Sequence, residues 1–243
     1  MQVYAELRIL TARPSVKDEA AAPHMLYGVL PASEACSAAR WLELAAEAIK
    51  EVWAQGKLPI VVGGTGLYLK ALKEGLSPIP DVLPEVRVEA TRLYAAQGAA
   101  ALQERDPAMA KRLKDGDSQR HTRALEVWLA TGKSLAYWQR KPREVMFPDA
   151  EFSKEIVMQE RGELYRRCDA RFLIMLEQGA LEEVKALKEL NLSTDLPAMR
   201  AVGVPELLAY LNGEMTLEEA TAKAQQATRN YAKRQLTWFR NQA

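Results

Sequence analysis

The chain has 243 residues, of which 48% are hydrophobic and 27% charged, and its formal net charge is +1. This is ordinary globular composition, enough for one large domain or a domain with an insertion, and it excludes a disordered or fibrous chain. No apolar run reaches membrane-spanning length, the start has no basic-then-apolar leader pattern, and the isolated Cys36 and Cys168 belong to no metal-spacing motif.

Taken in chain order, Met1–Tyr4 reads as a strand end or the loop after it. Thr11–Ser15 is a polar loop, and the small and charged run 16–22 reads as an exposed turn. Ser37 is placed to cap a helix reaching Gln55, with Trp41, Leu42, Leu44, Ala45, Ala48, Ile49, Val52 and Trp53 at helical spacing. Gly56 follows as its stop. Leu58-Pro59-Ile60-Val61-Val62 is short, apolar and rich in β-branched residues, the pattern of a strand buried on both faces. Gly63-Gly64-Thr65-Gly66 comes next, and a helix opens near Leu67. Helix, strand, loop, helix predicts a parallel α/β sheet with its functional loop at a strand's C-terminal end.

Ser77-Pro78-Ile79-Pro80-Asp81 breaks this pattern. From Pro84 to Gln139 the chain reads helical, in segments 86–97, 99–104, 107–113, 118–131 and 134–139. Glu155-Ile156-Val157-Met158 reads as a returning strand. Residues 164–190 form one or two amphipathic helices with a break at Gly179. Two further helices follow at 205–211 and 217–240, the second opened by a capping box of Thr216 and Glu219. The division expected from this order is 1–80 for an α/β core, 81–145 for a helical insertion, and 146–243 for the returning core with C-terminal helices.

Charge is local rather than global. From Lys111 to Arg143 nine basic residues stand against three acidic ones, a net of +6, and from Thr221 onward there are five basic residues and no acid. Aromatics interleave both segments (Trp128, Tyr137, Trp138; Tyr231, Trp238, Phe239), which fits a polyanion such as RNA as well as solvated helix faces over aromatic cores. Within Gln119-Arg120-His121-Thr122-Arg123, the two arginines share a helix face, with Leu125, Val127, Trp128 and Leu129 as the expected buried side. Such a pair can clamp a phosphate or simply lie in solvent. The Gly63–Gly66 loop lets backbone amides approach a phosphate or a base, and Thr65 adds a hydroxyl. By itself such a loop is equally a tight turn.

Together, V-V-G-G-T-G-L-Y (61–68), P-E-V-R (84–87), the 119–123 run, D-L-P-A-M-R-A-V-G (195–203) and K-R-Q-L-T-W-F-R (233–240) resemble the tRNA dimethylallyltransferases along nearly the whole chain. The resemblance implies a P-loop NTPase-like parallel sheet flanked by helices, a helical insertion on the anticodon side, and C-terminal helices that bind tRNA. The activity it implies is transfer of a dimethylallyl group from dimethylallyl diphosphate to the exocyclic amine of the adenosine 3′ to the anticodon, with Mg2+ as companion of the diphosphate. The implied partners are a tRNA anticodon stem-loop and dimethylallyl diphosphate, the implied setting the cytoplasm, and the implied state a monomer.

The resemblance also implies residue roles. Thr65 faces the reacting groups, and Arg120 and Arg123 hold diphosphate. Met1, Gln2, Arg87, Gln119, Arg120, His121, Thr122, Arg123, Arg200, Ala201, Val202, Gly203, Lys233, Arg234, Gln235 and Arg240 meet tRNA or substrate.

The chain departs from the family pattern in one respect. It holds no G-x-x-x-x-G-K-[ST] run, and the aspartate and serine that precede the family's M-Q-V-Y equivalent, the aspartate being its general base, are not in it. The expectation is therefore a member whose first strand, P-loop, first helix and second strand are lacking, through truncation or a misplaced start. Such a chain is expected to be poorly soluble and catalytically dead. Two other functions stay open on the residues alone: a non-catalytic tRNA-binding remnant, and a nucleotide isopentenyltransferase or kinase-like enzyme.

Overall fold

The computed structural model describes residues 1–241. Among these, regular structure is almost wholly helical: α1 (Val16–Ala21), α2 (Ala38–Ala54), α3 (Gly66–Glu74), α4 (Pro84–Gln97), α5 (Ala100–Arg105), α6 (Pro107–Ala110), α7 (Ser118–Thr131), α8 (Leu135–Gln139), α9 (Arg161–Glu177), α10 (Ala180–Glu189), a 3-10 turn at Ala198–Arg200, α11 (Val204–Leu211) and α12 (Leu217–Asn241).

Side-chain chemistry sets the helix ends. The Ser37 hydroxyl accepts the Arg40 amide at 3.1 Å to open α2, and the Asp117 carboxylate accepts the Arg120 amide at 3.2 Å to open α7. Gly132, left-handed at φ 65°, closes α7, and Gly179 at φ 101° separates α9 from α10. Thr216 and Glu219 exchange hydrogen bonds at the head of α12, the expected capping box. The run 16–22, expected as a turn, is instead the short α1. Ser15 and Asp18 form a reciprocal box there, with the Asp18 carboxylate accepting the Ser15 amide at 2.9 Å. The segment expected as a helix to residue 113 stops at Ala110.

The expected parallel sheet is not formed by the described residues. The runs 58–62 and 155–158, expected as strands, have no regular secondary structure and no strand partner. The β-pairing consists of two isolated bridges, Tyr4 with Leu30 in parallel and Leu76 with Glu144 in antiparallel. The physical reason is plain: a strand is stable only when another strand takes its amides and carbonyls. None does so here, and Ile60, Val62 and Val157 stand 79%, 79% and 82% exposed. Neither the strand nor the burial expected from the apolar, β-branched composition is present in the described residues.

The chain divides into two compact units, one of Met1–Lys70 with the chain from Glu151 on, the other of Ala71–Ala150. In the first, α12 lies along α9 and α11, and α10 packs on both α9 and α11. Its core holds Tyr4, Leu7, Phe172, Val184, Leu187, Val204 and Leu207. A polar contact fastens the N-terminal segment to α10: the Glu183 carboxylate accepts the backbone amides of Arg8, Ile9 and Leu10 at 2.7, 2.7 and 3.0 Å. Charge-assisted bonds of this kind stabilise by roughly 1.5–3 kcal/mol each when they satisfy otherwise unpaired donors. Gly203 sits at φ 97°, where a Cβ would meet Leu10 Cδ2 at 2.9 Å and Phe172 Cε2 at 3.1 Å, so glycine lets the backbone close onto this core.

The second unit is a helical cluster in which α4 and α7 pack together, with α5, α6 and α8 completing it. Ala90, Ala101, Leu102, Met109, Ala124, Leu125, Val127, Leu135 and Ala136 form its core. Of the four residues expected on the buried side of α7, Leu125 and Val127 are fully buried, Trp128 is half-buried, and Leu129 is 36% exposed. The buried stripe runs instead through His121, Ala124, Leu125 and Val127.

Candidate functional site

The loop Gly63–Gly66 lies under the C-terminal helix. The Thr65 hydroxyl is 3.4 Å from the Tyr231 hydroxyl of α12. A Cβ at Gly64 would overlap the Gln235 amide, and one at Gly66 would overlap the fused ring carbons of Trp238. Gly66 is thus required because the Trp238 ring of α12 closes onto the loop, while the glutamine end over Gly64 can move. Trp238 stands edge-on to Phe239, with ring centres 4.9 Å apart, and the Arg234 guanidinium lies 5.6 Å over the Tyr231 ring. Residues Asn230, Lys233, Arg234, Thr237, Trp238 and Asn241 line an open recess of about 490 Å³ beside this contact.

The first turn of α3 brings Tyr68 behind the loop. Its ring stacks on Trp41 of α2, centres 5.0 Å apart and planes 25° apart, and its hydroxyl donates to the Cys36 carbonyl at 3.3 Å. The Tyr4 hydroxyl accepts the Cys36 amide at 3.0 Å. Burial, then the proximity of Cys36, Tyr4 and Tyr231, pushes the Tyr68 phenol above its ordinary value. Burial likewise pushes Tyr4 and Cys36 up, so this triad is neutral at pH 7 and braces the loop without charge. The sequence marks Tyr231 only as an aromatic of the basic C-terminal segment, Tyr68 only as the end of the 61–68 motif and Trp41 only as a core position of its helix, none of them at this site. Tyr68 carried a signal, two residues beyond Gly66; Tyr231 carried none that spacing reveals, since it is 166 residues from Thr65.

The remaining expected residues fall into separate places. Lys233, Arg234 and Arg240 are exposed on α12, while Gln235 is half-buried over Gly64. Arg200 is exposed on its own loop, donating to the Thr194 carbonyl at 3.2 Å and paired with Asp195. Val202 is half-buried, whereas Ala201 and Gly203 are buried, so the latter two shape the loop and present no side chain to a ligand. Gln2 is turned inward on its own segment, its amide donating to the Thr11 and Ala12 carbonyls at 3.1 and 3.0 Å, and Met1 is exposed.

In the helical unit, Arg87 is exposed, its Nε donating to the Val82 carbonyl at 3.2 Å. Gln119 and Arg120 are exposed, and Thr122 and Arg123 half-buried. Arg120 pairs with Asp117 at 3.3 Å and Arg123 with Glu126 at 2.9 Å. The Arg120 pair is mostly exposed and contributes about 0–1 kcal/mol, whereas Glu126 of the Arg123 pair is 15% exposed. His121 is 1% exposed, with Nδ1 2.9 Å from the Asp117 carbonyl and its ring 5.8 Å from that of Tyr94. It faces this unit's own core rather than a ligand: its position, one residue after exposed Arg120, puts it on the inner face of α7.

Among the described residues, no group of three or more His, Cys, Asp and Glu side chains is placed to hold a metal ion, and no helix is long and apolar enough to cross a membrane.

The profile of the IPP transferase family matches residues 2–242. A tRNA dimethylallyltransferase of Rhodospirillum centenum is 56% identical over 246 residues, an alignment spanning all of this chain and 78% of that protein. Among solved structures, the tRNA Δ(2)-isopentenylpyrophosphate transferase of Staphylococcus epidermidis aligns with a TM-score of 0.65 and 31% identity, covering 99% of this chain and 79% of that one. A eukaryotic dimethylallyltransferase acting on tRNA aligns with a TM-score of 0.74 and 26% identity, over 98% of this chain and 61% of that one. With a family match over almost every residue and relatives above half identity along its full length, this chain belongs to the IPP transferase family.

Proposed function

We propose that this chain acts on tRNA, transferring a dimethylallyl group from dimethylallyl diphosphate to the exocyclic amine of the adenosine 3′ to the anticodon. The observation that carries this reading is the agreement of its relatives: proteins 48–56% identical over essentially the whole chain bear the name tRNA dimethylallyltransferase. The chemistry forms one bond, from the amine nitrogen to the first carbon of the dimethylallyl group, and breaks that carbon's bond to oxygen. The amine gives up a proton and diphosphate leaves. An adenine amine is a weak nucleophile because its lone pair is conjugated, so the site must orient the amine, accept its proton and stabilise the leaving group.

The residues suit parts of this task. Thr65, exposed at the loop and beside the Tyr231 hydroxyl, holds the amine in line. Trp238, Tyr231 and Arg234 offer flat and cationic surfaces for an unstacked base and its phosphates, offsetting the few kcal/mol that extrusion of a base costs. Arg120 and Arg123 supply guanidinium forks for a phosphate or diphosphate, and Arg87, Gln119, Arg200, Lys233 and Arg240 meet the tRNA backbone. Mg2+ would arrive with the diphosphate rather than in a protein cage, since the described carboxylates form none. The setting in this reading is the cytoplasm and the working state a monomer. The P-loop-type sheet belongs to the same reading, with 58–62 and 155–158 as strand segments.

The assay is transfer of labelled dimethylallyl groups to unmodified tRNA, alongside tRNA binding. In place of the inactivity expected from the sequence, label is expected in tRNA with the wild-type chain, and Thr65→Ala is expected to reduce transfer by about 10²–10⁴ while leaving the tRNA Kd unchanged. The same pair of measurements separates a second reading, a tRNA binder without transfer activity. Binding with no label incorporated would select it, and absence of both would sink the proposal.

A further inference from the structure

Lys133 and Lys141 flank α8 in the helical unit and turn onto the same side chain. Lys133 Nζ lies 4.7 Å from the centre of the Tyr137 ring and 5.7 Å from that of Trp138, and Lys141 Nζ lies 4.9 Å from the Tyr137 ring. Both ammonium groups also reach the phenol oxygen: a hydrogen bond from Lys141, then the charges of Lys133 and Lys141, hold its pKa below the ordinary value. The platform beneath them is fixed. Tyr137 stands edge-on to Trp138, ring centres 5.3 Å apart; Trp138 Nε1 donates to the Thr131 hydroxyl at 3.2 Å; Leu135 and Ala136 anchor the inner face of α8 in the core.

What these two lysines lack is an acid. Arg120 and Arg123 on the neighbouring helix each hold a carboxylate, but among the described residues neither Lys133 nor Lys141 pairs with one. Both are exposed. Two cations gathered on one phenol repel each other, and an anion bridging them relieves the repulsion and takes up to three donors. A cation over an aromatic face is also held in place before a ligand arrives, which lowers the entropy lost on binding. The surroundings favour a polymer over a single small anion. The site is open, Arg140 and Arg112 continue the basic surface, Arg112 donating to the Gln139 amide at 3.4 Å, and half-buried Tyr137 and Trp138 add ring surface.

We propose that Lys133, Tyr137 and Lys141 form a phosphodiester-binding site for an RNA backbone, apart from the residues assigned above. It rests on the reading of the chain as a tRNA-acting protein and adds a contact to it. Each phosphate neutralised contributes about 0.7–0.9 to the slope of log affinity against log salt.

The test is tRNA binding by the full chain across a salt series, for wild type, K133Q/K141Q and K133R/K141R. The glutamine pair is expected to flatten the slope by about 0.7–0.9 and weaken binding about tenfold at ~0.1 M salt, and the arginine pair to restore both. KM for dimethylallyl diphosphate is expected to stay unchanged. Should the glutamine pair fail to fold, K141Q alone, outside α8, is expected to lose about half that slope. An unchanged slope in a wild type that does bind tRNA overturns this site and leaves the proposed function standing. A raised KM for dimethylallyl diphosphate with an unchanged tRNA slope also overturns it, by assigning the lysines to the small substrate. A wild type that binds no tRNA removes both.

Discussion

At Gly64 and Gly66 two side chains of α12 occupy the space a Cβ would need, and they differ in how easily they yield. Over Gly64 stands the end of a flexible glutamine, which can swing aside; over Gly66 stand the fused ring carbons of Trp238, which cannot move without shifting the indole. Gly66→Ala is therefore expected to destabilise the chain by about 1–3 kcal/mol, the usual cost of overpacking, and Gly64→Ala by much less. Thermal unfolding of the two variants checks this, and equal midpoints would refute it. The presence of a small, hydroxyl-bearing loop was legible in the residues 63–66. Its covering by Gln235, Trp238 and Tyr231 was not, because those contacts join segments far apart in the chain. The same gap explains His121: its motif was visible, but only the turn of α7 reveals that it points into the core while Arg120 points out.

Helices are the elements this chain announces most clearly, since caps and apolar periodicity act over one or two turns. Ser37, Gly179 and the Thr216–Glu219 box all stand at observed ends. Other caps, among them the Ser15–Asp18 box at α1 and Glu160 at α9, carry no clear signal, because acids near a helix start are common and only geometry shows which accept amides. All three carboxylates are held below their ordinary pKa, Asp18 first by the Ser15 hydroxyl, Glu160 by the Gly162 amide and Glu219 by the Thr216 amide. A depressed folded pKa contributes stability that is present above the unfolded value, about 4, and is lost as pH falls through the folded one. Fraying of the first turns of α1, α9 and α12 is thus expected on acidification below about pH 4, while α2, capped by the Ser37 hydroxyl, holds. Amide protection measured along a pH series would show it, and uniform loss across all helices would refute it. Strands fared differently from helices because a strand's stability lies in its partner, which no local pattern supplies.

Across the whole molecule, the two units each close a core, yet Leu58, Ile60, Val62 and Val157 remain 79–82% exposed. Exposed β-branched apolar segments outside any sheet invite pairing with other chains. Concentration-dependent association is expected. Ile60→Lys with Val62→Thr is expected to raise the soluble fraction without lowering the unfolding midpoint, since neither side chain is buried. Light scattering across a dilution series checks this, and unchanged association would assign the stickiness elsewhere.

By itself, the sequence determined the helix positions, the loop around Thr65, the two basic segments and the family, because these rest on short-range periodicity, capping and motif spacing. Only the tertiary structure decided that α12 closes over the loop, that Tyr231 meets Thr65, that Glu183 gathers three distant amides, and that the apolar runs at 58–62 and 155–158 stay unpaired. Each of those depends on which distant groups come within bonding distance. Residue order along the chain does not specify that until the cores have formed and the conformational entropy of closing long loops has been overcome.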